Sequence, residues 1–341
     1  MLELVIDQRR RDLGGLEVGR VLPYHRLRQG RPEHSGGNPE KRQWRDAGRD
    51  GERDAGRDVG PDAGRDAGRA AGMVGPFIFF DHLGPQIMPA GIPKSVDVRP
   101  HPHIGLSTVT YLFDGEVVHR DSVGSETAIR PGEVNWMVAG RGITHSERFE
   151  RARARGDNVH GIQSWVALPN QDEEAVPEFA HYGRSELPIF EDGGLSMRLI
   201  AGAAFGVKSP VKTHSPMFYV HWVLAAGTTA QLPNEYSERA AYVVSGQAET
   251  GGQVFEAGHM LVFAKGASAV IKAVTPTVVM ALGGEPVGER YIEWNFVSSS
   301  PERIEQAKSD WRAGRMKLPD LDSGEFTPLP VEPPEPPTPP L

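Results

Sequence analysis

The sequence predicts an all-β chain, two tandem β-barrels followed by a short C-terminal helix. Three observations predict it. Short apolar runs such as "TVTYLFDG", "NWMVAG", "MFYVHWVLAAG" and "GHMLVFAKG" recur with turn residues between them, as in a sandwich or barrel. The 40 glycines and 29 prolines of the 341-residue chain suit many short strands joined by turns. A spacing also repeats: Tyr111-x3-Gly115 with Gly132-x7-Gly140 returns as Tyr242-x3-Gly246 with Gly258-x7-Gly266. Two copies of one barrel explain the length.

Residues 1–27 are read as the start of the first barrel. The opening "MLELVIDQRRR" is a poor leader: its apolar run is short, acids interrupt it and the arginines follow it. Residues 28–72 are read as a disordered insert. From Asp46 it repeats Asp, Ala, Gly and Arg with a period of four. Such a repeat buries nothing, and frequent glycine disfavours a helix. Residues 73–170 are assigned to the first barrel and 171–320 to the second. A helix is expected near the end, where Ser300 can cap it, Pro301 suits the first turn, and Ile304, Ala307 and Trp311 share a face. Residues 321–341 are rich in proline and are read as an extended tail.

Composition narrows the function. A net charge of −8 and a pI near 5.9 leave no electrostatic footprint for direct nucleic-acid binding. The absence of cysteine removes disulfides, thiolate metal sites and a cysteine nucleophile. No segment reaches the eighteen or so apolar residues of a membrane span. A cytoplasmic protein is expected.

Two short motifs carry chemistry. "RPHPHIG" holds His101 and His103; "GRGITHSE" holds His145 and Glu147. Alternate side chains of a strand share a face, so each pair points one way. If both strands line one barrel, four ligands converge inside it. Imidazoles and a carboxylate suit a divalent ion of borderline softness, Fe(II) or else Mn, Co, Ni, Cu or Zn. An octahedral ion would keep open positions for water, O2 or substrate. The matching positions of the second copy are Leu232, Asn234 and Ile271, so that barrel is expected to lack the site. His119 reads as a strand-surface residue, with a supporting role behind the ligands as the alternative. His82 reads as a packed, hydrogen-bonded residue. His214, His221 and His259 have no partner at ligand spacing. Tyr111 reads as core, with pocket lining as the alternative.

The stretches "PFIFFDHLGP", "HPHIGLSTVTYLFDGEVVHRDSVGS", "RPGEVNWMVAGRGITHSE" and "WNFVSSSPERIEQAKSDWRAGR" together resemble the pirin family of bicupins, and in particular its bacterial, quercetinase-like members. The resemblance runs from about residue 15 to 318, the insert apart. It implies two jelly-roll cupin barrels and one iron in the first, held by His101, His103, His145 and Glu147. It also implies a reaction, the opening of a flavonol such as quercetin by O2, for which Glu147 is the candidate base. A second role seen in the family is a non-enzymatic one, in which the iron protein binds a metabolic enzyme or a transcription factor. The chain departs from the family pattern at Ile104, Leu106 and Ser107, where many pirins carry Arg, Phe and Glu. These smaller or uncharged side chains predict a roomier pocket beside the metal. The insert is the second departure.

Overall fold

The computed structural model describes residues 1–13, 15–23 and 72–330. The expected insert and the end of the tail lie outside the described residues, apart from the flanking residue 72 and the stretch 321–330.

The chain folds as two antiparallel double-sheet barrels. In the first, a seven-stranded sheet faces a four-stranded one. The larger sheet runs Glu178–Tyr182, Val134–Val138, Leu106–Asp114, Asp157–Ala167, Phe77–Met88, Glu17–Leu22 and Arg9–Asp12. The smaller runs Val98–His103, Ile143–Arg148, Val117–Asp121 and Glu126–Ile129. The second barrel repeats the plan with a larger sheet from Leu2–Asp7 to Ile189–Asp192 and a smaller one of four strands.

Alternation along the strands sorts side chains into an interior and a seam. In Leu106–Asp114, Val109 and Tyr111 face the second barrel, where Tyr219, Tyr242 and Met280 meet them in one apolar cluster. Leu106 and Leu112 face the other way. The two larger sheets therefore pack back to back, and each barrel keeps its own interior. The second interior is mostly apolar: Leu232 and Ile271, two of the positions equivalent to the candidate ligands, sit in it fully buried. Asn234, the third, is exposed.

Three expected boundaries shift. Leu2–Asp7 belongs to the second barrel, pairing with His259–Phe263, although it precedes the first. Glu178–Tyr182 extends the first barrel past residue 170 by pairing with Val134–Val138. The hairpin Tyr291–Glu293 and Phe296–Ser298, together with the following helix, packs on the first barrel. There Trp294, Phe296, Ile304, Ala307 and Trp311 cluster around Ile104. The reason is burial: an edge strand and an amphipathic helix go where an apolar surface lies open, whatever their place in the chain.

The helix spans Pro301–Arg312, and the Ser300 hydroxyl accepts from the Arg303 amide. Beyond it, the start of the tail lies against the first barrel, with Thr327 buried and its amide bonded to the Pro100 carbonyl. Among the described residues no helix is long and apolar enough to cross a membrane.

Candidate metal centre

The strands Val98–His103 and Ile143–Arg148 pair so that His145 lies opposite His101, and Ile143 opposite His103. All three imidazoles point into the first barrel and are buried. One ring nitrogen from each lies within 4.8 Å of the others, the only such group of potential ligands among the described residues. His103 Nε2 is 3.1 Å from His145 Nε2.

The surroundings fix which nitrogens face inward. His101 Nδ1 donates to the Arg99 carbonyl at 2.9 Å, and His103 Nδ1 to the Asn295 carbonyl at 3.0 Å. A carbonyl only accepts, so both rings carry their proton on Nδ1 and offer a lone pair on Nε2. His145 is held in the same way from behind. Its Nδ1 lies 3.4 Å from His119 Nδ1, and His119 Nε2 donates to Asp121 Oδ2 at 2.9 Å. In the tautomer in which His119 carries its one proton on Nε2, toward the carboxylate, its Nδ1 accepts and the proton between the rings belongs to His145.

Three Nε2 lone pairs thus converge on one point. They repel one another unless a cation stands between them, and ligands oriented by outer hydrogen bonds are the usual design of a metal site. Burial drives all three pKa values below the ordinary histidine range, His101 to about 4. The rings are therefore neutral, as ligands must be.

Glu147 lines the same cavity but lies outside the three-imidazole cluster. A bulge follows His145, so that Glu147 pairs with Val98 instead of the next alternate residue. The side chain keeps part of its surface open to the cavity. It has no hydrogen bond or ion pair among the described residues. Enclosure by its neighbours pushes its carboxyl up to about 7.

The remaining histidines divide. His119 is buried and stacked on Phe179 with ring centroids 4.3 Å apart. It is not a surface residue; the supporting role is the one it occupies. Its signal in the sequence was the His119-x-Asp121 spacing, the same alternation as the ligand pairs. His82 is buried between Tyr242 and His160, at 2.9 and 2.8 Å, packed as expected. Tyr111 and His221 meet at the seam, not at the metal centre.

The cavity beside the imidazoles measures about 40 Å³, and Leu13, Leu16, Phe79 and Trp165 are among its walls. Ile104, Leu106 and Ser107 do not line it. Ile104 packs under the C-terminal helix, Leu106 packs with Met137 and Trp165, and Ser107 is fully buried elsewhere. The expected roomier pocket is not present.

Comparison with known proteins agrees with this architecture. The family model described as Pirin matches residues 60–166, and that of the Pirin C-terminal cupin domain matches residues 219–317. A "Pirin-like protein" of Caulobacter vibrioides is 55% identical over 97% of this chain and 100% of its own length. A Pseudomonas aeruginosa protein named "Putative quercetin 2,3-dioxygenase" is 35% identical over 76% of this chain and 82% of its own. Among solved structures, a quercetin 2,3-dioxygenase from Acinetobacter baumannii superposes with a TM-score of 0.77 at 28% identity, covering 98% of this chain and 97% of that one. With two cupin barrels, three converging imidazoles in the first and both family models matched, this chain belongs to the pirin family.

Proposed function

We infer that the first barrel holds one Fe(II) ion on His101, His103, His145 and Glu147, and that the protein is a flavonol 2,3-dioxygenase of the quercetinase type. The observation that carries the metal assignment is the set of three Nε2 lone pairs aimed at one point beside a partnerless carboxyl. Three nitrogens and one oxygen suit Fe(II) and leave positions open on an octahedral ion. The names of the Pseudomonas and Acinetobacter relatives support the reaction.

Such an ion supplies Lewis acidity that makes a flavonol hydroxyl easier to ionise. The chain supplies the rest. Glu147, the one carboxyl that borders the imidazole cavity with no protein partner among the described residues, is the group that would take the hydroxyl proton, giving up its place on the ion as it does so. Leu13, Leu16, Phe79 and Trp165 keep water away from the reacting atoms. His119 and Asp121 hold His145 in register.

The cavity favours a second reading. Pockets for drug-sized ligands run to about 300–1,000 Å³, against about 40 Å³ here. A flavonol enters only if the lining moves, and Leu13 and Leu16 stand between two strands, packed in the apolar cluster of the first barrel. If the lining stays shut, the centre serves as a structural or redox element of a protein that binds a partner.

The test is O2 uptake by the iron-loaded protein with quercetin, beside His103→Ala and Glu147→Ala. Uptake that needs both residues supports the dioxygenase. Stoichiometric bound iron without uptake refutes it and leaves the partner-binding reading.

A further inference from the structure

A second cavity, of about 350 Å³, opens at the seam between the barrels and shares no lining residue with the metal cavity. One side is apolar and includes Phe113, Ile189 and Val278. The other carries Tyr111 from the first barrel, Arg198 and His221 from the second, and Arg184 from the segment that joins them.

Arg198 and His221 are cross-strand partners in the second barrel's larger sheet. Arg198 is 7% exposed. Its Nη1 donates to the Arg184 carbonyl at 2.7 Å, and no carboxylate among the described residues lies within ion-pair distance. A buried guanidinium without an anion is costly, so buried charges are ordinarily paired. Arg184 likewise has no ion pair among the described residues. Glu191 also borders the cavity, but it is exposed and bonded at 3.5 Å to the Ser196 hydroxyl, not to either arginine.

The protons of this group can be placed. The Arg198 guanidinium stands beside the Tyr111 hydroxyl and can only donate to it. Tyr111 Oη lies 2.8 Å from His221 Nδ1; in the tautomer that turns a donor toward the cavity, Tyr111 donates to Nδ1 and His221 carries its proton on Nε2. Burial and the two arginine charges press the His221 pKa down to about 4, which leaves the ring one proton. His221 Nε2 is buried and has no partner among the described residues. The polar end thus offers two guanidinium groups and one N–H, all donors.

We propose that the seam cavity binds a small organic acid, with its carboxylate held by Arg198, Arg184 and His221 Nε2–H and its apolar body against Phe113, Ile189 and Val278. Inorganic phosphate satisfies the donors but not the apolar side, so the site should prefer the organic anion.

The test is calorimetric titration of the metal-loaded full-length protein with benzoate, its neutral isostere benzamide, and inorganic phosphate. Benzoate should bind saturably, with benzamide and phosphate at least about tenfold weaker because one lacks the charge and the other the apolar body. Arg198→Gln should abolish benzoate binding and Tyr111→Phe should weaken it several-fold, by freeing the His221 tautomer. Arg184→Gln, at an exposed position where folding is safe, should also weaken it several-fold and decides the matter if Arg198→Gln does not fold. His103→Ala should bind benzoate like the parent. Four outcomes overturn the proposal: benzamide or phosphate binding as tightly as benzoate, parental affinity in the arginine variants, no saturable binding, or loss of binding in His103→Ala, which would put benzoate at the metal.

Discussion

Glu147 borders three neutral imidazoles with a carboxyl that burial has raised to about 7, and this ties metal affinity to pH. Only the carboxylate is a ligand, so below pH 7 the incoming ion must displace a proton. Affinity should therefore rise by about tenfold per pH unit up to pH 7 and level off above it. His101, with its pKa near 4, is already neutral through this window. Glu147→Gln should bind metal more weakly and lose the step at 7, as competition titration with a chelator would reveal; an unchanged step would remove Glu147 from the ligand set. Behind His145, Asp121→Asn keeps the shape of the turn but not the charge that fixes His119. Metal affinity should fall by about 10–100-fold, and a parental value would mean that the His119–Asp121 pair only packs. The convergence of the three histidines was legible because strand alternation needs no knowledge of the fold. The lining was not. Ile104, Leu106 and Ser107 follow His103 closely in the sequence, where they depart from the family pattern, but Gly105 turns the chain at φ +67. A Cβ there would meet the Val297 carbonyl oxygen at 2.0 Å. Parity counted across such a turn carries no information about the next strand.

At the scale of elements, the strand Ile143–Arg148 shows how the site is held from outside. His145 and Glu147 point inward, while Thr144, Ser146 and Arg148 point out and are gripped by the segment that follows the C-terminal helix. Thr144 donates to the Lys317 carbonyl. Ser146 Oγ and Arg148 Nε both donate to Asp322 Oδ2, at 2.6 and 3.0 Å, and Arg148 Nη1 reaches Glu325 at 2.8 Å. Asp322 is mostly shielded, its side chain 11% exposed, whereas that of Glu325 is 42% exposed. Charge-assisted bonds in a shielded place contribute about 1.5–3 kcal/mol; exposed pairs contribute about 1 kcal/mol or less. Asp322→Ala should therefore cost about 2 kcal/mol in urea unfolding and Glu325→Ala well under 1 kcal/mol. Equal costs would mean that the segment is not a clamp. The helix before this segment was readable from its cap and its apolar face. The docking of the segment was not, because Asp322 and Glu325 contact residues far earlier in the chain and leave no local pattern. The N-terminal strand was misassigned for the same reason: its pairing with His259–Phe263 is a property of the assembled sheets.

On the scale of the whole molecule, the two barrels exchange their ends. The first residues complete the second barrel, and the last helix and hairpin complete the first. The Asn295 carbonyl that orients His103 thus comes from a part of the chain that follows the second barrel. The three-imidazole cluster depends on the entire bicupin, and the duplication in the sequence hinted at two barrels without revealing this dependence. Residues 28–72 join two strands of the first barrel in sequence. The strands on either side of them, Glu17–Leu22 and Phe77–Met88, are antiparallel neighbours, with Leu22 opposite Phe80. Their connection has only to turn back on itself, and a much shorter one still does so. None of the three imidazoles, nor Asn295, His119 or Asp121, lies in the segment. Deleting 28–72 should therefore leave metal stoichiometry unchanged. It should also stabilise the fold slightly, since each halving of a loop returns about 0.6 kcal/mol of closure entropy and the deletion amounts to between about two and three halvings. The measurements are metal content by elemental analysis and the urea midpoint of the deleted protein beside its parent. Unchanged metal with an equal or higher midpoint fits a segment outside the folded barrels. Lost metal, or a midpoint lower by more than about 1 kcal/mol equivalent, would show that the segment packs on the first barrel and supports the ligands.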